Sequence, residues 1–445
     1  QAMKKLLKYI AIGMLAFFAK AVMHRYRPHI VMVSGSVGKT STKDAVAAVL
    51  ETRFSVRKSE KSFNSDFGVP FTILGVGNPW HNPLAWLSVV KNALALLLLP
   101  NHYPNMLVLE VGADKPGDLS RILRIAAPHA VVITRLPEIP AHVEAYTSPE
   151  KVREEEFSPA YALPAAAPLV IPADDPYARE NAMRISARTF SYGVADTAAA
   201  RILNCDFYET GGTVAGMKAD IIVRGERGNL IVKGSVGTTQ LLPAAAAIAL
   251  ADAFNISLTK ALQALENYEP PPGRGRLFQG KNGSIIIDDS YNASPAAVEE
   301  ALATLRTFPS FATKATEGKP HGKRIAVLGD MLELGRYSTT EHKRIGALAE
   351  SSADMVVAVG IRARAFAPAF SGANASREYS RDNVLLFDNS RAAALALPSI
   401  VREGDVVLVK GSQSVRTERI VEALLANPSD ASLLVRQERE WKRRP

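Results

Sequence analysis

The distribution of apolar and polar positions along the chain predicts an α/β protein. Short apolar runs alternate with longer segments in which apolar residues recur every three or four positions. The runs are typical of buried parallel strands, and the longer segments are typical of helices packed on a sheet. Strands are predicted at 30–33, 106–109, 130–133 and 169–171, and helices at 40–52, 241–254 and 258–266. This alternation indicates a central, mainly parallel sheet.

The pattern changes twice after this first block. Residues 201–233 alternate over short distances between glycine turns, which predicts an antiparallel edge. Residues 269–276 contain three consecutive prolines, which exclude a regular helix or a central strand and predict a domain boundary. A second alternation follows and indicates a C-terminal Rossmann-like domain. Its predicted strands are 284–287, 324–328, 355–359, 384–387 and 406–409. The predicted domains are 1–28, 29–272 and 273–445.

The first 28 residues are predicted to form an apolar helix with a basic rim. Residues 6–23 are apolar apart from Lys8 and Lys20, and the uninterrupted run from 9 to 19 falls short of the roughly 20 residues that cross a bilayer. Such a helix could lie on an anionic membrane surface or pack on the following domain. A second apolar stretch at 84–99 is a candidate companion surface or a buried helix.

Composition narrows the classes of function. The 445 residues are 47% apolar and 22% charged, an ordinary globular balance for two or three domains. The single cysteine, Cys205, excludes a disulfide framework and a thiolate zinc site, and it fits a reducing cytoplasm. The formal charge of +9 could serve nucleic acid, a membrane or phosphate groups. The sequence has no aromatic-rich basic groove, so we expect no nucleic-acid partner.

A candidate phosphate-binding loop (P-loop) follows the first strand. Residues 35–40 read GSVGKT and open a helix, where backbone N–H groups and the helix N-terminus can face a polyphosphate. Lys39 would reach the β- and γ-phosphates, and the Thr40 hydroxyl would bind Mg²⁺. Val33 replaces the first glycine of the general pattern, so a coincidental turn is the alternative. The predicted nucleotide contacts in the loop are Gly35, Ser36, Gly38, Lys39, Thr40 and Ser41.

The loop and the motifs that follow it resemble the Mur ligase family over about residues 29–425. The motifs are VSGSVGKTSTKDAV, SFNSDFGVPFTILG, LVLEVGADKPGDL, PAHVEAYTSPE, PADDP, IIIDDSYNASP, IAVLGDMLELG and VLVKGSQSVR. The resemblance implies a ligase that uses ATP and Mg²⁺ to form an amide bond through an acyl phosphate. It implies addition of a D-alanyl-D-alanine-like dipeptide to a UDP-linked muramoyl-tripeptide precursor of the cell wall. We expect a cytoplasmic monomer, with residues 4–27 as a candidate peripheral contact with the inner face of the cell membrane.

The resemblance also implies a catalytic and metal-binding set. Glu110 ends a predicted strand, and His142 follows the next one; together they are expected to hold a second Mg²⁺. The alternatives are that Glu110 is a surface residue at the end of a strand and that His142 is an ordinary loop histidine. Asn64 matches a family position near the γ-phosphate, or it is a turn residue before Gly68. The implied catalytic residues are Lys39, Asn64, Glu110 and His142.

The resemblance implies further roles in the C-terminal domain. Asp289 is expected to bind the ribose, Asn292 to lie near the nucleotide, and Arg276 to contact phosphate across the domain gap. A helix N-cap before Pro295 is the alternative for the aspartates at 288 and 289. The residues expected to meet the incoming amine are Asp330, Glu333, His342, Lys410 and Ser412.

The sequence departs from the family pattern in three places. Fewer than 30 residues precede the first strand, so the uridine-nucleotide-binding domain of the family is expected to be missing. Glu156 aligns with a lysine that the family carbamylates to hold Mg²⁺, with a solvated helix face as the alternative. Gln240 lies where the family has a motif that contacts adenine, and it could still hydrogen-bond an adenine edge. The predicted metal ligands are Thr40, Glu110, His142 and Glu156. A different acceptor, such as a lipid-linked one, and a nucleotide-binding scaffold without activity are the alternative functions.

Overall fold

The computed structural model describes residues 2–60, 63–79, 82–309, 322–366 and 383–442, and it confirms the predicted α/β fold. The helices are α1 (Ala2–Tyr26), α2 (Lys39–Leu50), α3 (Gly68–Leu74), α4 (Pro83–Leu98), α5 (Asp118–Leu123), α6 (Pro149–Tyr161), α7 (Pro176–Ala182), α8 (Leu241–Ala253), α9 (Leu258–Leu265), α10 (Pro295–Thr307), α11 (Ser338–Ser352), α12 (Ser390–Ala396), α13 (Glu418–Leu424) and α14 (Arg439–Lys442). The strands are β1 (His29–Ser34), β2 (Val56–Lys58), β3 (Met106–Glu110), β4 (Ala130–Ile133), β5 (Pro168–Pro172), β6 (Arg188–Gly193), β7 (Ala200–Thr210), β8 (Thr213–Val223), β9 (Glu226–Lys233), β10 (Arg276–Gln279), β11 (Ile285–Asp289), β12 (Arg324–Gly329), β13 (Met355–Val359), β14 (Val384–Phe387) and β15 (Val406–Lys410).

The first sheet is parallel through most of its width. Over the described residues its order is β2-β3-β1-β4-β5-β6-β7-β8-β9. Neighbours from β2 to β7 are parallel, while β7, β8 and β9 form the antiparallel edge predicted for residues 201–233. Because β1 lies between β3 and β4, the loops after these three strands meet at one edge of the sheet, where sites form in such folds.

Helices cover both faces of the first sheet. Val31 and Val33 of β1 belong to the core that contains α2 and α8, whereas Ile30 and Met32 belong to the core on the opposite face. Successive strand residues point to opposite faces, and β1 is apolar on both. This two-sided burial explains why β1 appears in the sequence as an unbroken apolar run.

The second sheet has the order β10-β11-β15-β12-β13-β14 over the described residues, and its pairs are parallel apart from β10 with β11. Adjacency of β11, β15 and β12 brings the residues after Asp289, Lys410 and Gly329 to one edge. The first sheet ends at Lys233 and the second begins at Arg276. On this basis we propose the domain boundary between residues 272 and 273.

Helix α1 packs on the first sheet's helices with one of its faces. The residues of α1 that are buried in the core shared with α3 and α4 are Leu15, Ala19 and Val22. Near its end, Arg25 Nη1 donates to the Leu97 carbonyl at 2.6 Å and the Tyr26 hydroxyl donates to the Leu96 carbonyl at 2.7 Å. The interpretation of a helix packed on the following domain therefore holds for this face. None of the described helices is both long enough and apolar enough to cross a membrane.

Candidate active site

The loop after β1 has a backbone path that requires glycine at two positions. Gly35 has φ +119°, and a Cβ there would lie 2.4 Å from Thr134 Oγ1. Gly38 has φ +91° and stands at the N-cap of α2. Such φ values strain side chains other than glycine. The two glycines therefore let the loop curl back over the start of α2, as the phosphate-loop prediction requires.

Lys39 and Asn64, predicted as catalytic residues, lie side by side. The Lys39 ammonium donates to the Gly35 carbonyl within the loop. A Cβ added to Gly112, just after β3, would lie 3.1 Å from Asn64 Nδ2 and 3.3 Å from Lys39 Cε. Both side chains therefore flank Gly112. The structure brings an ammonium and an amide to the edge where β1 and β3 end.

Glu110 and Thr40 form a buried pair beside this loop. The Thr40 hydroxyl donates to Glu110 Oε1 at 3.1 Å. Glu110 is 2% exposed, and its second oxygen, Oε2, is buried without a hydrogen-bond partner in the described structure. Burial raises the pKa of Glu110, while the nearby Lys43 and Lys39 lower it. An unpartnered carboxylate oxygen next to a hydroxyl suits Mg²⁺, which prefers oxygen ligands, so the pair fits the predicted metal ion.

Glu156 belongs to the same site. It is 2% exposed, and its Oε2 accepts from the Gly35 N–H and from the Ser34 hydroxyl, both at 3.2 Å. Its Oε1 lies 3.7 Å from Lys39 Nζ. The alternative of a solvated helix face is therefore wrong for Glu156, although it holds for the exposed Glu154. A negative charge is fixed directly behind the phosphate loop.

His142, another predicted metal ligand, contacts the carboxylates of Asp114 and Glu333. Its Nε2 is 3.5 Å from Asp114 Oδ1 and its Nδ1 is 3.3 Å from Glu333 Oε2. Among the described residues, no three His, Cys, Asp or Glu side chains converge to hold a metal ion. The role of His142 as a metal ligand stays a prediction from the sequence. The Thr40–Glu110 pair remains the part of the set that fits a cation.

A cavity between the two sheets joins the phosphate loop to the second domain. Its lining includes Gly38, Ser41, Gln240, Arg274, Asp289 and Lys410. Gln240 Oε1 is buried without a hydrogen-bond partner in the described part of the chain. Asp289 Oδ2 pairs with Lys410 Nζ at 2.6 Å. The predicted residues Gln240 and Asp289 thus face the same space as the loop.

The arginine that lines this cavity is Arg274 rather than the predicted Arg276. The Arg274 guanidinium lies 4.1 Å from the centre of the Tyr291 ring. Arg276 belongs to β10 and lies 3.8 Å from Glu269. The φ of +65° at Gly275 sends the two side chains along different paths.

A second cavity lies where β11, β12 and β15 end. Its lining consists of Asn292, Leu332, Glu333, Ser412, Gln413, Ser414, Arg416 and Trp441. The Ser412 hydroxyl accepts from the Leu332 N–H at 2.9 Å, so it also fixes the loop after β12. Predicted substrate residues Glu333 and Ser412 therefore share this cavity with Asn292, which was expected nearer the nucleotide. Gln413, Ser414 and Trp441 were not predicted from the sequence.

His342 and Asp330 support the loop instead of lining either cavity. His342 is fully buried, its Nε2 accepts from the Met331 N–H at 3.0 Å, and its Nδ1 lies 2.7 Å from the Ser338 carbonyl oxygen. Burial lowers the pKa of His342, which favours the neutral ring. Asp330 Oδ1 accepts from the Ala363 N–H at 2.7 Å. Both ring nitrogens of His342 are engaged in the interior, and its contact with the incoming amine stays a prediction.

Asp288 gives the site a pH-dependent stability. It is fully buried, its Oδ1 accepts from the Ser290 N–H at 3.1 Å, and burial raises its pKa to about 6. A raised carboxyl pKa stabilises the folded state below the unfolded pKa, and this contribution is lost as the pH rises through about 6. We expect Asp288→Asn to be more stable than wild type near neutral pH by about 2 kcal/mol, with the difference vanishing below about pH 4.

Urea unfolding of Asp288→Asn and wild type across this pH range measures that difference. The exposed Asp196 offers the matched control, because Asp196→Asn changes the same charge where the carboxylate is solvated. A stability difference between Asp288→Asn and wild type that does not change with pH would show that Asp288 does not titrate as described.

Comparisons with known proteins agree with this arrangement. Residues 33–251 match the Mur ligase middle domain, and residues 273–413 match the Mur ligase, glutamate ligase domain. The chain is 28% identical over 411 residues to the UDP-N-acetylmuramoyl-tripeptide–D-alanyl-D-alanine ligase of Bacillus subtilis, covering 92% of this chain and 79% of that protein. It is 27% identical to the ligase of the same name from Escherichia coli, covering 94% and 81%.

A solved structure shares the fold. The MurF ligase of Thermotoga maritima in complex with ADP superposes with a TM-score of 0.72 at 24% identity, covering 93% of this chain and 83% of that one. At this identity the likeness concerns the fold alone.

Proposed function

Because the chain belongs to the Mur ligase family, we propose that it is an ATP-dependent peptide ligase that adds D-alanyl-D-alanine to a UDP-N-acetylmuramoyl-tripeptide. The names of the curated relatives support this substrate pair. The observation that carries the proposal is the juxtaposition of the Lys39 loop and the Thr40–Glu110 pair with a cavity that Asp289 and Lys410 border from the second domain.

The reaction needs activation because a carboxylate and an amine do not condense in water, where hydroxide is a poor leaving group. Transfer of the γ-phosphoryl group of ATP to the carboxylate forms an acyl phosphate and releases ADP. The amine then attacks the acyl carbon, the amide bond forms, and phosphate departs with the former carboxylate oxygen. Catalysis of such a transfer rests on positioning and on neutralising the charge of the phosphoryl oxygens.

We assign the nucleotide to the cavity between the sheets. Gly38 and Ser41 at the α2 N-terminus and Arg274 line this cavity and would face the phosphates, while Lys39 would reach them from the same loop. The unpartnered Gln240 Oε1 can accept a hydrogen bond from the exocyclic amino group of adenine. Asp289 pairs with Lys410 through Oδ2, and its Oδ1 can accept from a ribose hydroxyl.

Thr40 and Glu110 would hold Mg²⁺, which supplies Lewis-acid stabilisation of the phosphoryl oxygens when bound. The proposal rests on the unpartnered Glu110 Oε2 beside the Thr40 hydroxyl.

We assign the incoming dipeptide to the second cavity. A dipeptide carries an ammonium group, which the Glu333 carboxylate of this cavity can bind. Arg416 also lines the cavity, but its Nε already pairs with Glu418 and its Nη1 donates to the Trp441 carbonyl. Ser412 and Asn292 add neutral polar groups. Glu333 also contacts His142 of the first domain, so it links this cavity to the phosphate-loop side of the molecule.

The charge of Glu156 is expected to support phosphoryl transfer. Glu156→Gln keeps the volume and an acceptor oxygen but removes the negative charge 3.7 Å from Lys39 Nζ. We expect the kcat of ligation to fall about ten- to a hundredfold, because Lys39 loses the partner that orients its ammonium. The exposed Glu154 gives the matched control, since Glu154→Gln changes the same group on the same helix. Equal kcat values for Glu156→Gln and wild type would remove Glu156 from the site.

Detection of the product by mass spectrometry tests the proposed substrates. Purified protein with Mg-ATP and D-alanyl-D-alanine would receive the UDP-linked muramoyl-tripeptide or a lipid-linked muramoyl-tripeptide. A product heavier by one dipeptide from the UDP-linked acceptor is expected. Extension of the lipid-linked acceptor alone would contradict the proposed acceptor while keeping the ligase.

The cellular location, the oligomeric state and the membrane contact of the protein stay predictions from the sequence. A reducing cytoplasm is consistent with the single, exposed Cys205. The monomeric state and the contact of residues 4–27 with a membrane stay predictions from the sequence.

A further inference from the structure

Exposed apolar side chains concentrate on two neighbouring helices. In the described part of the chain, eight of the fifteen large apolar residues that are exposed lie between Tyr9 and Leu99. Six of them are considered below: Ile10 and Phe17 on α1, and Leu84, Leu87, Leu94 and Leu98 on α4. Their exposed fractions run from 43% at Leu94 to 74% at Leu84. A concentration of this kind marks an interaction surface, whereas scattered exposed apolar residues need no explanation.

The spacing of these residues places them on one outward side of each helix. The α4 residues at 84, 87, 94 and 98 follow the repeat of a single helical face, and 10 and 17 on α1 are two turns apart. The opposite sides of both helices are buried in a shared core. The hydrogen bonds from Arg25 to Leu97 and from Tyr26 to Leu96 hold the two C-terminal ends together. We call these outward sides the α1–α4 face.

The charges on α1 and α4 themselves have a single sign. Residues 1–43 and 67–109 contain no Asp or Glu. Exposed cations lie within the face: Lys20 follows Phe17 by three residues, and Lys91 lies between Leu87 and Leu94. Long lysine side chains can keep the ammonium in the headgroup layer while their stems cover apolar surface. The face therefore pairs apolar surface with positive charge.

We propose that the α1–α4 face docks on an anionic lipid bilayer, with both helices lying in the interfacial plane. Apolar side chains would enter the boundary between headgroups and acyl chains while lysines meet lipid phosphates. A second copy of the chain is a poorer occupant, because two such faces would bring like charges together. This inference goes beyond the proposed reaction and does not depend on it.

Co-sedimentation of the full chain with vesicles tests the docking. Vesicles of phosphatidylcholine with about 30 mol % phosphatidylglycerol present an anionic surface, and phosphatidylcholine alone presents a neutral one. We expect wild type to pellet with the anionic vesicles and to be released by salt. Leu87→Glu/Leu98→Glu is expected to weaken that partition at least about tenfold, because two charges replace inserted apolar groups.

The matched control introduces two glutamates in place of exposed apolar residues elsewhere on the surface. Ile361 and Leu395 are 78% and 85% exposed and lie in the C-terminal domain, so Ile361→Glu/Leu395→Glu is expected to pellet like wild type. Circular dichroism melting shows that each variant is folded. Absence of wild type from the anionic pellet, or equal pelleting of both double variants, would overturn the proposal. A concentration-dependent dimer that Leu87→Glu/Leu98→Glu dissociates would overturn it in favour of a second copy.

Discussion

Lys39→Ala is expected to lower the kcat of ATP-dependent ligation by about a thousandfold while the protein stays folded. The ammonium of Lys39 is placed inside the loop by the Gly35 carbonyl and by Glu156, so it is oriented before any phosphate arrives. Alanine removes the charge that is proposed to neutralise the transferred phosphoryl group. Binding of ATP should weaken less than turnover, because the backbone of the loop stays in place.

Initial rates of phosphate release and an equilibrium nucleotide-binding measurement separate these two effects. Lys260→Ala is the matched control, because Lys260 is an exposed lysine on α9 and far in sequence from the loop. Turnover by Lys39→Ala within about threefold of wild type would contradict the assignment of the loop as the phosphoryl-transfer site.

Glu418→Ala is expected to destabilise the protein by about 3 to 5 kcal/mol. Glu418 is 1% exposed and accepts from Arg416 Nε at 2.5 Å and from Arg436 Nη2 at 2.8 Å. Removing its carboxylate leaves two buried guanidinium groups without their shared anion. Since Arg436 also donates to the Tyr291 carbonyl at 3.0 Å, the loss should loosen the loop after β11.

Chemical denaturation measures this loss as a lower midpoint. Glu422→Ala on the same helix is the matched control, because Glu422 is exposed and should change the free energy of unfolding by less than about 0.5 kcal/mol. Equal stabilities of Glu418→Ala and Glu422→Ala would contradict the account of a buried ion network. Arg436 is 7% exposed although it lies near the C-terminal end of the sequence.

The strands of the second domain were the easiest elements to predict. β13 begins and ends where the apolar run at 355–359 does, because a strand buried on both faces leaves an unbroken run. The edge strand β14 also matches its apolar run at 384–387, although it is partly exposed. By contrast, β6 (Arg188–Gly193) and β2 (Val56–Lys58) were missed. Both are short or partly exposed, so their residues carry polar side chains and lack a continuous apolar signal.

The candidate site was predictable where local sequence fixes geometry. The phosphate loop depends on the glycines at 35 and 38 and on the helix that follows, all of which are visible in the sequence. The choice between Arg274 and Arg276 depends on the backbone at Gly275, and the burial of His342 depends on a distant segment packing over it. Such tertiary choices leave no pattern in neighbouring residues, so the sequence does not predict the surroundings of these two side chains.

Phosphate release from Mg-ATP, measured together with amide formation, tests the central claim most directly. Purified wild type would receive the UDP-linked muramoyl-tripeptide and D-alanyl-D-alanine separately and then together, with Lys39→Ala alongside. The account predicts sustained phosphate release only with both substrates present, one phosphate for each new amide bond, and almost none from Lys39→Ala. Tight ATP binding without phosphate release when both substrates are present, or phosphate release that never yields an amide, would contradict it.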